Sequence, residues 1–63
     1  MRIRVNNWIF QVKKVVLIEN RMVISYGEIK CFEFDSEDIA EYYFERLLEK
    51  GYVDLTGYQV EVN

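Results

Sequence analysis

The chain begins with alternating polar and apolar residues. Arg2-Ile3-Arg4-Val5 follows the two-residue period of a half-buried strand, and Asn6-Asn7 suits a turn after it. Residues 8–18 are rich in aromatic and β-branched residues, which favours one long strand or a bulged one. Within this segment the apolar positions change register near Lys13-Lys14, which predicts a bulge at the two lysines.

The next segment has the pattern of a β-meander. Glu19-Asn20 fits a tight hairpin turn, because asparagine tolerates a left-handed backbone. Gly27 marks a bulge or a second turn, and residues 29–34 resume an extended strand. The apolar residues that continue one face on the return strand are Met22, Ile24 and Tyr26.

A helix is predicted from about Ser36 to Lys50. Asp35 is placed to cap its first turn, with Asp38 three residues later, and Gly51 suits the left-handed residue that ends a helix. Its apolar residues fall on one stripe at helical spacing: Ile39, Ala40, Tyr43, Phe44, Leu47 and Leu48.

The last residues alternate again after a loop through Thr56-Gly57, which predicts a final strand with one buried face. Its apolar positions are Tyr58, Val60 and Val62, and its polar positions are Gln59, Glu61 and Asn63. The predicted fold class is α+β: an antiparallel β-meander of three to four strands, one helix at about 36–50 packed on one face, and one C-terminal strand. A chain of 63 residues forms a single domain, residues 1–63.

The strands carry more apolar residues than one helix covers. The extra residues alternate with the predicted core face: Ile9, Val15, Leu17, Val23 and Ile29. Two interpretations stay open: an exposed apolar patch for a partner, or bulges at Lys13-Lys14 and Gly27 that rotate these side chains inward. A strand that pairs with a copy of itself would bury both its edge and the patch, so a homodimer is one expectation.

Composition argues against catalysis and against bound groups. The chain has no histidine, and its single cysteine, Cys31, can form neither an internal disulfide nor a zinc site. The hydroxyls of Ser25, Ser36 and Thr56 have no visible base beside them. We therefore predict a protein that is not an enzyme and holds no cofactor or metal.

A lone thiol and the lack of a secretion signal predict a cytoplasmic protein, in the host cytoplasm if it is viral. The longest uninterrupted apolar run, Val15 to Ile18, is far too short to span a membrane, so no membrane partner is predicted.

Charge is divided along the chain. Residues 1–30 carry six basic and two acidic residues, and residues 31–63 carry two basic and nine acidic ones, which together give the net charge of −3. The chain is therefore a charge dipole and not an evenly acidic protein.

Each half supplies one candidate interface. The helix exposes a row that we call the acidic helix face: Glu37, Glu41, Tyr42, Glu45 and Glu49. This row either docks on a basic surface of a protein partner or is only a solvated face softened by Arg46 and Lys50. The first half supplies a set that we call the basic set: Arg2, Arg4, Lys13, Lys14 and Arg21. These residues suit phosphate contacts, with Trp8 or Tyr26 available to stack on bases.

A group of short matches carries a family resemblance: Ile9-Phe10-Gln11-Val12, Tyr26-Gly27-Glu28, Phe34-x-Ser36-x-Asp38-x-Ala40, Phe44, Lys50 and a closing strand at Tyr58. In these positions the chain resembles a WGR domain, which implies a nucleic-acid-associated module. Glu28 stands where that family has its defining arginine, and the Gly-rich stretch that follows there is missing. In size, order of elements and acidic helix, the chain is also similar to small phage-encoded inhibitors of host RNA polymerase.

The leading hypothesis is a small protein-binding module, such as a phage or viral inhibitor or an accessory subunit. It would act on a protein partner of unknown identity through the acidic helix face or through a sheet edge. The alternative is a nucleic-acid-binding module that uses the basic set, and a third hypothesis is a structural homodimer.

Overall fold

The computed structural model describes the backbone of residues 1–61 and the side chains of residues 1–58. Within them the chain forms seven strands and one helix: β1 (Arg2–Val5), β2 (Trp8–Gln11), β3 (Lys14–Ile18), β4 (Arg21–Ser25), β5 (Ile29–Glu33), α1 (Glu37–Lys50), β6 (Tyr52–Asp54) and β7 (Gln59–Glu61). The predicted α+β class, with an antiparallel meander, one helix and a strand near the C-terminus, is confirmed.

The strands form two sheets. The small sheet has the order β2-β1-β6, in which β1 is antiparallel to β2 and parallel to β6. The large sheet has the order β3-β4-β5-β7 and is antiparallel throughout. β2 and β3 follow each other directly along the chain, so residues 8–18 form one extended segment that begins in one sheet and ends in the other.

The bulge predicted at Lys13-Lys14 is where this segment changes sheets. The Val12 N–H donates to the Met1 carbonyl at 2.8 Å, which continues the pairing with β1. The next N–H, of Lys13, donates to the Ser25 carbonyl at 2.8 Å, and Lys14 pairs with the same Ser25. Two residues therefore face one across the ladder, which is the geometry of a β-bulge.

The hairpin turn at Glu19-Asn20 is confirmed, although the residue with the left-handed backbone is Glu19, with φ 54°. Asn20 has a different role from the one predicted. Its side-chain amide donates to the Phe34 carbonyl at 2.8 Å, and the Phe34 N–H donates to the Asn20 carbonyl at 2.9 Å. The second turn contains Gly27, with φ 105°, between β4 and β5.

The helix begins one residue later than its predicted cap implies. Ser36 is the N-cap, because its hydroxyl oxygen accepts from the Ile39 N–H at 3.2 Å, and the helix starts at Glu37. The prediction of Asp35 as the cap was wrong, since two good capping residues stand side by side and the sequence alone does not rank them. The end at Gly51 is confirmed: its φ is 74° and its N–H donates to the Leu47 carbonyl.

The core lies between α1 and the inner faces of the sheets. Its fully buried large side chains are Phe32, Ile3, Met22, Ile24, Leu47 and Leu55. The buried line of the helix runs from Ala40 to Leu47, two turns apart, and Leu48 falls outside this line with 55% of its surface exposed. The assignment of Leu48 to the buried stripe was therefore wrong.

A short strand was missed in the predicted loop after the helix. β6 pairs in parallel with β1, and the buried side chains of Val53 and Leu55 anchor it beneath the helix. At the end of the chain, Gln59 begins β7 and half-buried Tyr58 precedes it. The predicted buried face of the final strand depends on the side chains of Val60, Val62 and their neighbours. These side chains lie outside the described residues.

The extra apolar residues of the strands divide between the two interpretations. Val15 and Leu17 pack against the core, as expected if a bulge rotates them inward, and Val23 is half-buried. Ile9 and Ile29 are exposed instead. Since the bulge turns β3 over, Val16 and Ile18 are exposed as well, at 40% and 53%.

Candidate functional site

An open cleft of about 480 Å³ lies between the two sheets. We call it the aromatic cleft, and its lining residues are Val5, Asn6, Trp8, Phe10, Tyr26, Glu28 and Lys30. It exists because β2 and β4 separate beyond the bulge. β2 stays with the small sheet, while β4 turns through Gly27 into β5. Apolar clefts with a few convergent polar groups are the usual form of a binding site.

Three aromatic side chains form the apolar surface of the cleft. The rings of Phe10 and Tyr26 meet with centroids 4.8 Å apart and planes inclined by 60°. The Trp8 side chain points to the same face of β2 as Phe10, yet 72% of its surface is exposed. An indole this exposed at the rim of an apolar cleft offers a large surface for a ligand to cover.

The rim of the cleft carries one acid and one base. The Lys30 ammonium lies 5.8 Å from the centroid of the Phe10 ring, within the range of a cation–π contact. The Tyr26 hydroxyl donates to the Glu28 carboxylate at 3.0 Å. Partial burial, followed by the hydrogen bond and the negative charge of Glu28, raises the pKa of Tyr26 above its ordinary value. Tyr26 is therefore a neutral donor at physiological pH, and Glu28 keeps acceptor capacity for a ligand.

The cleft borders an open strand edge. Because the Val12 N–H points to β1, alternate residues of β2 point the same way, and the backbone groups of Ile9 and Gln11 point to the opposite side. That is the side on which the Lys13 N–H reaches Ser25. No hydrogen bond joins β2 to the turn at residues 26–28 anywhere in the described chain. Two donors and two acceptors are thus available beside the cleft.

This arrangement is suited to binding. Its polar groups are a carboxylate, an ammonium, a phenol and an amide beside an apolar surface. Among the side chains of residues 1–58, no group of three or more acidic or cysteine residues is placed to hold a metal ion.

The acidic helix face is a separate surface, because no helical residue lines the cleft. All five of its residues are exposed, and none of its four glutamates forms an ion pair with another described residue. Tyr42 differs from them. The centroid of its ring lies 5.2 Å from the centroid of the Tyr43 ring and 5.6 Å from the Arg46 guanidinium carbon. These contacts place Tyr42 beside a shallow groove of about 290 Å³ between the helix and β6.

The structure does not bring the basic set together. Arg2 and Arg4 share the outer face of the small sheet, and Lys13 and Lys14 lie at the bulge. Arg21 lies four rungs farther along the β3–β4 hairpin, roughly 13 Å away, where it forms a 3.2 Å ion pair with Glu33. The positive charges therefore occupy three places.

Sequence reasoning identified Trp8 and Tyr26 only as candidates for stacking and did not place them in one site. The missing information was the change of pairing partner within residues 8–18, which opens the cleft. The sequence feature that best indicates the cleft rim is the pair Glu28 and Lys30, which are two residues apart and follow a glycine turn.

The chain matches no protein-family model, no curated protein and no solved structure. The resemblance to WGR domains and the similarity to phage inhibitors stay predictions. Within residues 1–61, no helix is long and apolar enough to cross a membrane.

Proposed function

We propose that this chain is a non-enzymatic protein-binding module that captures an extended segment of a partner protein. The segment would add as a strand to the open edge of β2 and insert apolar side chains into the aromatic cleft. Strand addition is a common mode of peptide recognition, in which backbone hydrogen bonds give affinity and a pocket for alternate side chains gives specificity.

The observation that carries this proposal is the position of Trp8. It stands 72% exposed at the rim of the aromatic cleft, beside the unpaired backbone groups of Ile9 and Gln11. Tryptophan is among the residues that dominate binding energy at interfaces when a partner covers them. The same few residues therefore combine backbone pairing with an aromatic anchor.

The rim charges restrict what the ligand can be. Glu28 and Lys30 have opposite charges, so the rim favours neither a phosphate backbone nor a strongly cationic segment. An uncharged segment with an aromatic or branched aliphatic residue at every second position fits the cleft best. Polar groups that flank it would meet Glu28 and Lys30.

Such a module suits a phage or viral inhibitor or an accessory subunit acting in the cytoplasm, which is the host cytoplasm if the protein is viral. In both roles a small chain would act by binding an extended segment of a larger protein. The acidic helix face would then add electrostatic steering toward a basic surface of the same partner.

One observation favours nucleic acid as a second candidate. The Arg2 guanidinium lies 5.7 Å from the centroid of the Tyr52 ring, and Arg4 lies on the same face of the small sheet. Asp54 pairs with Arg4 across the strands, so this face also carries a negative charge. The hydrogen bonds from Thr56 and the nearby charge of Arg4 lower the pKa of Asp54 and keep it ionised.

The proposal is tested by selecting peptides from a random display library against the purified chain. Selected peptides should alternate apolar and polar residues and contain an aromatic residue. They should lose at least about tenfold in affinity toward Trp8→Ala, since anchors of this kind contribute 2 kcal/mol or more. Isothermal titration calorimetry measures binding to both chains, because Trp8→Ala removes the sole tryptophan and with it the intrinsic fluorescence signal.

The matched control is the double charge reversal Glu41→Lys with Glu45→Lys on the acidic helix face. Peptides held in the cleft should bind this variant about as well as the original chain. Selected peptides that ignore Trp8→Ala and fail on the helix variant would assign the interface to the acidic helix face. Retention of single-stranded DNA that is lost with Arg2→Glu and Arg4→Glu would support the second candidate.

A further inference from the structure

β3 is an edge strand whose outer side is chemically distinct from the cleft. Ile18 and Arg21 flank the two-residue turn as a hydrogen-bonded pair, so Val16 also faces β4. Val15 and Leu17 therefore direct their backbone groups to the open side. No hydrogen bond outside the β3–β4 ladder involves either residue in the described chain.

We infer that two copies of this chain associate by pairing their β3 strands antiparallel about Val16. In this register Val15 of one copy lies opposite Leu17 of the other, and the reverse holds across the two-fold axis. All four residues point their N–H and C=O groups toward the partner, so both pairs form complete hydrogen-bonded rungs. The two large sheets would join into one continuous sheet through an isologous interface, in which both copies use the same strand.

The charges at the ends of β3 favour this register over its neighbours. With Val16 at the centre, Lys14 faces Ile18 of the other copy, and Lys13 faces Glu19 at the start of the turn. Glu19 is exposed and forms no ion pair in the described part of the chain. A shift of two residues toward the turn would place Lys13 beyond the end of the hairpin, because the chain reverses at Glu19-Asn20, and this contact would be lost.

Apolar side chains on the outer face give the pairing a second contribution. Val16 would meet its own copy across the axis, next to Ile18. Behind this contact, Val23 and Ile29 continue a shallow groove of about 270 Å³, and Ile29 is 66% exposed. Pairing thus covers part of an exposed apolar surface. This surface belongs to the apolar strand residues that the core does not bury.

Lysine at a strand edge is also a common protection against pairing, and the experiment distinguishes the two roles. The chain and its variants are examined by sedimentation velocity over a range of concentrations. The unaltered chain should show a dimer of twice 7.6 kDa. Lys13→Glu and Glu19→Lys should each weaken the dimer by about tenfold or more, because each creates two like-charge contacts.

An equimolar mixture of the two single variants should restore the dimer, because each contact across the axis then joins an acid to a base. Glu45→Lys has the same charge change as Glu19→Lys on a remote helical face and should leave the dimer unchanged. Circular dichroism confirms that each variant is folded.

A monomer at all concentrations, or a dimer insensitive to both single variants, overturns the inference, as does a mixture that stays monomeric. Trp8→Ala should dimerise normally, so failure here is distinguishable from failure of the cleft proposal.

Discussion

The two halves of the extended segment 8–18 pair with different strands and leave opposite sides of the backbone unpaired. β2 pairs with β1 and leaves open the side that faces the aromatic cleft. β3 pairs with β4 and leaves open the other side. The first half carries aromatic residues and no charge, whereas Lys13, Lys14 and Glu19 flank the second half. One continuous stretch of chain therefore offers two unlike edges.

The difference shows how much one inserted residue decides. If all of residues 8–18 alternated regularly, β3 would direct Val16 and Ile18 to the core and expose Val15 and Leu17. With it, both lysines lie outside at the point where the sheets separate. The bulge both opens the cleft and turns the apolar patch of β3 outward.

A shift of register in β3 should have the largest effect on this comparison. Deletion of Val16 reverses the alternation beyond it and turns half-buried Leu17 toward water. We expect this deletion to lower the free energy of unfolding by about 1.5–3 kcal/mol or more, because a large apolar side chain leaves the core. Deletion of Lys13 is the matched control: it removes only the extra residue of the bulge and keeps Val15 and Leu17 on the inner face, so it should cost less in urea titrations. Equal losses of stability in the two deletions would contradict the role of the bulge.

Loss of the helix cap should lower the stability of the whole domain, which holds both open edges in place. Ser36→Ala removes the acceptor for the Ile39 N–H and should lower the free energy of unfolding by about 1 kcal/mol. Asp35→Ala is the matched control and should have a smaller effect, because Asp35 does not cap the helix. Thermal unfolding followed by circular dichroism measures both, and the reverse ranking would restore Asp35 as the cap.

A change in the β3 turn should separate stability from association. Glu19 has a left-handed backbone, φ 54°, which asparagine adopts more easily. Glu19→Asn should stabilise the monomer by a few tenths to about 1 kcal/mol and weaken the dimer, since it removes the acid opposite Lys13. Glu19→Gln removes the same charge without the backbone benefit. A dimer as strong in both variants as in the original chain would exclude this charge contact.

The smallest expected effect lies in the aromatic cluster beneath the helix, away from both edges. The Tyr58 hydroxyl donates to the Tyr43 hydroxyl at 3.2 Å, and this bond, with burial and the charges nearby, raises the pKa of Tyr58 to about 12. The neutral form is favoured by folding, so its contribution is complete below the ordinary value of 10.0 and is lost as pH rises toward 12. Between these values the stability advantage over Tyr58→Phe should shrink, and an advantage independent of pH would refute the assignment.

Local patterns were sufficient to predict most elements. The alternation at residues 2–5, the turn at Glu19-Asn20, the helix and its end at Gly51 each depend on neighbouring residues. The bulge was predicted for the same reason, since a change of apolar register is visible within the segment itself. The exposed glutamates of the helix were likewise evident from their spacing of four.

The features that were missed depend on contacts between distant parts of the chain. β6 has only three residues, and its strand conformation follows from pairing with β1, some fifty residues earlier. The aromatic cleft likewise requires Trp8 and Phe10 to face Tyr26 and Lys30 across two sheets. No local pattern reports that the second side of β2 stays open.

Residue-resolved amide hydrogen exchange in the free protein tests the two open edges most directly. At low protein concentration, exchange should be slow at Phe10, Val12, Lys14 and Val16, whose N–H groups point to β1 or β4, and fast at Ile9, Gln11, Val15 and Leu17. Raising the concentration should slow exchange at Val15 and Leu17 only, as β3 pairs with its copy. Protection of Ile9 and Gln11 equal to that of Phe10 in the free monomer would show that the edge beside the cleft is closed and would contradict the account.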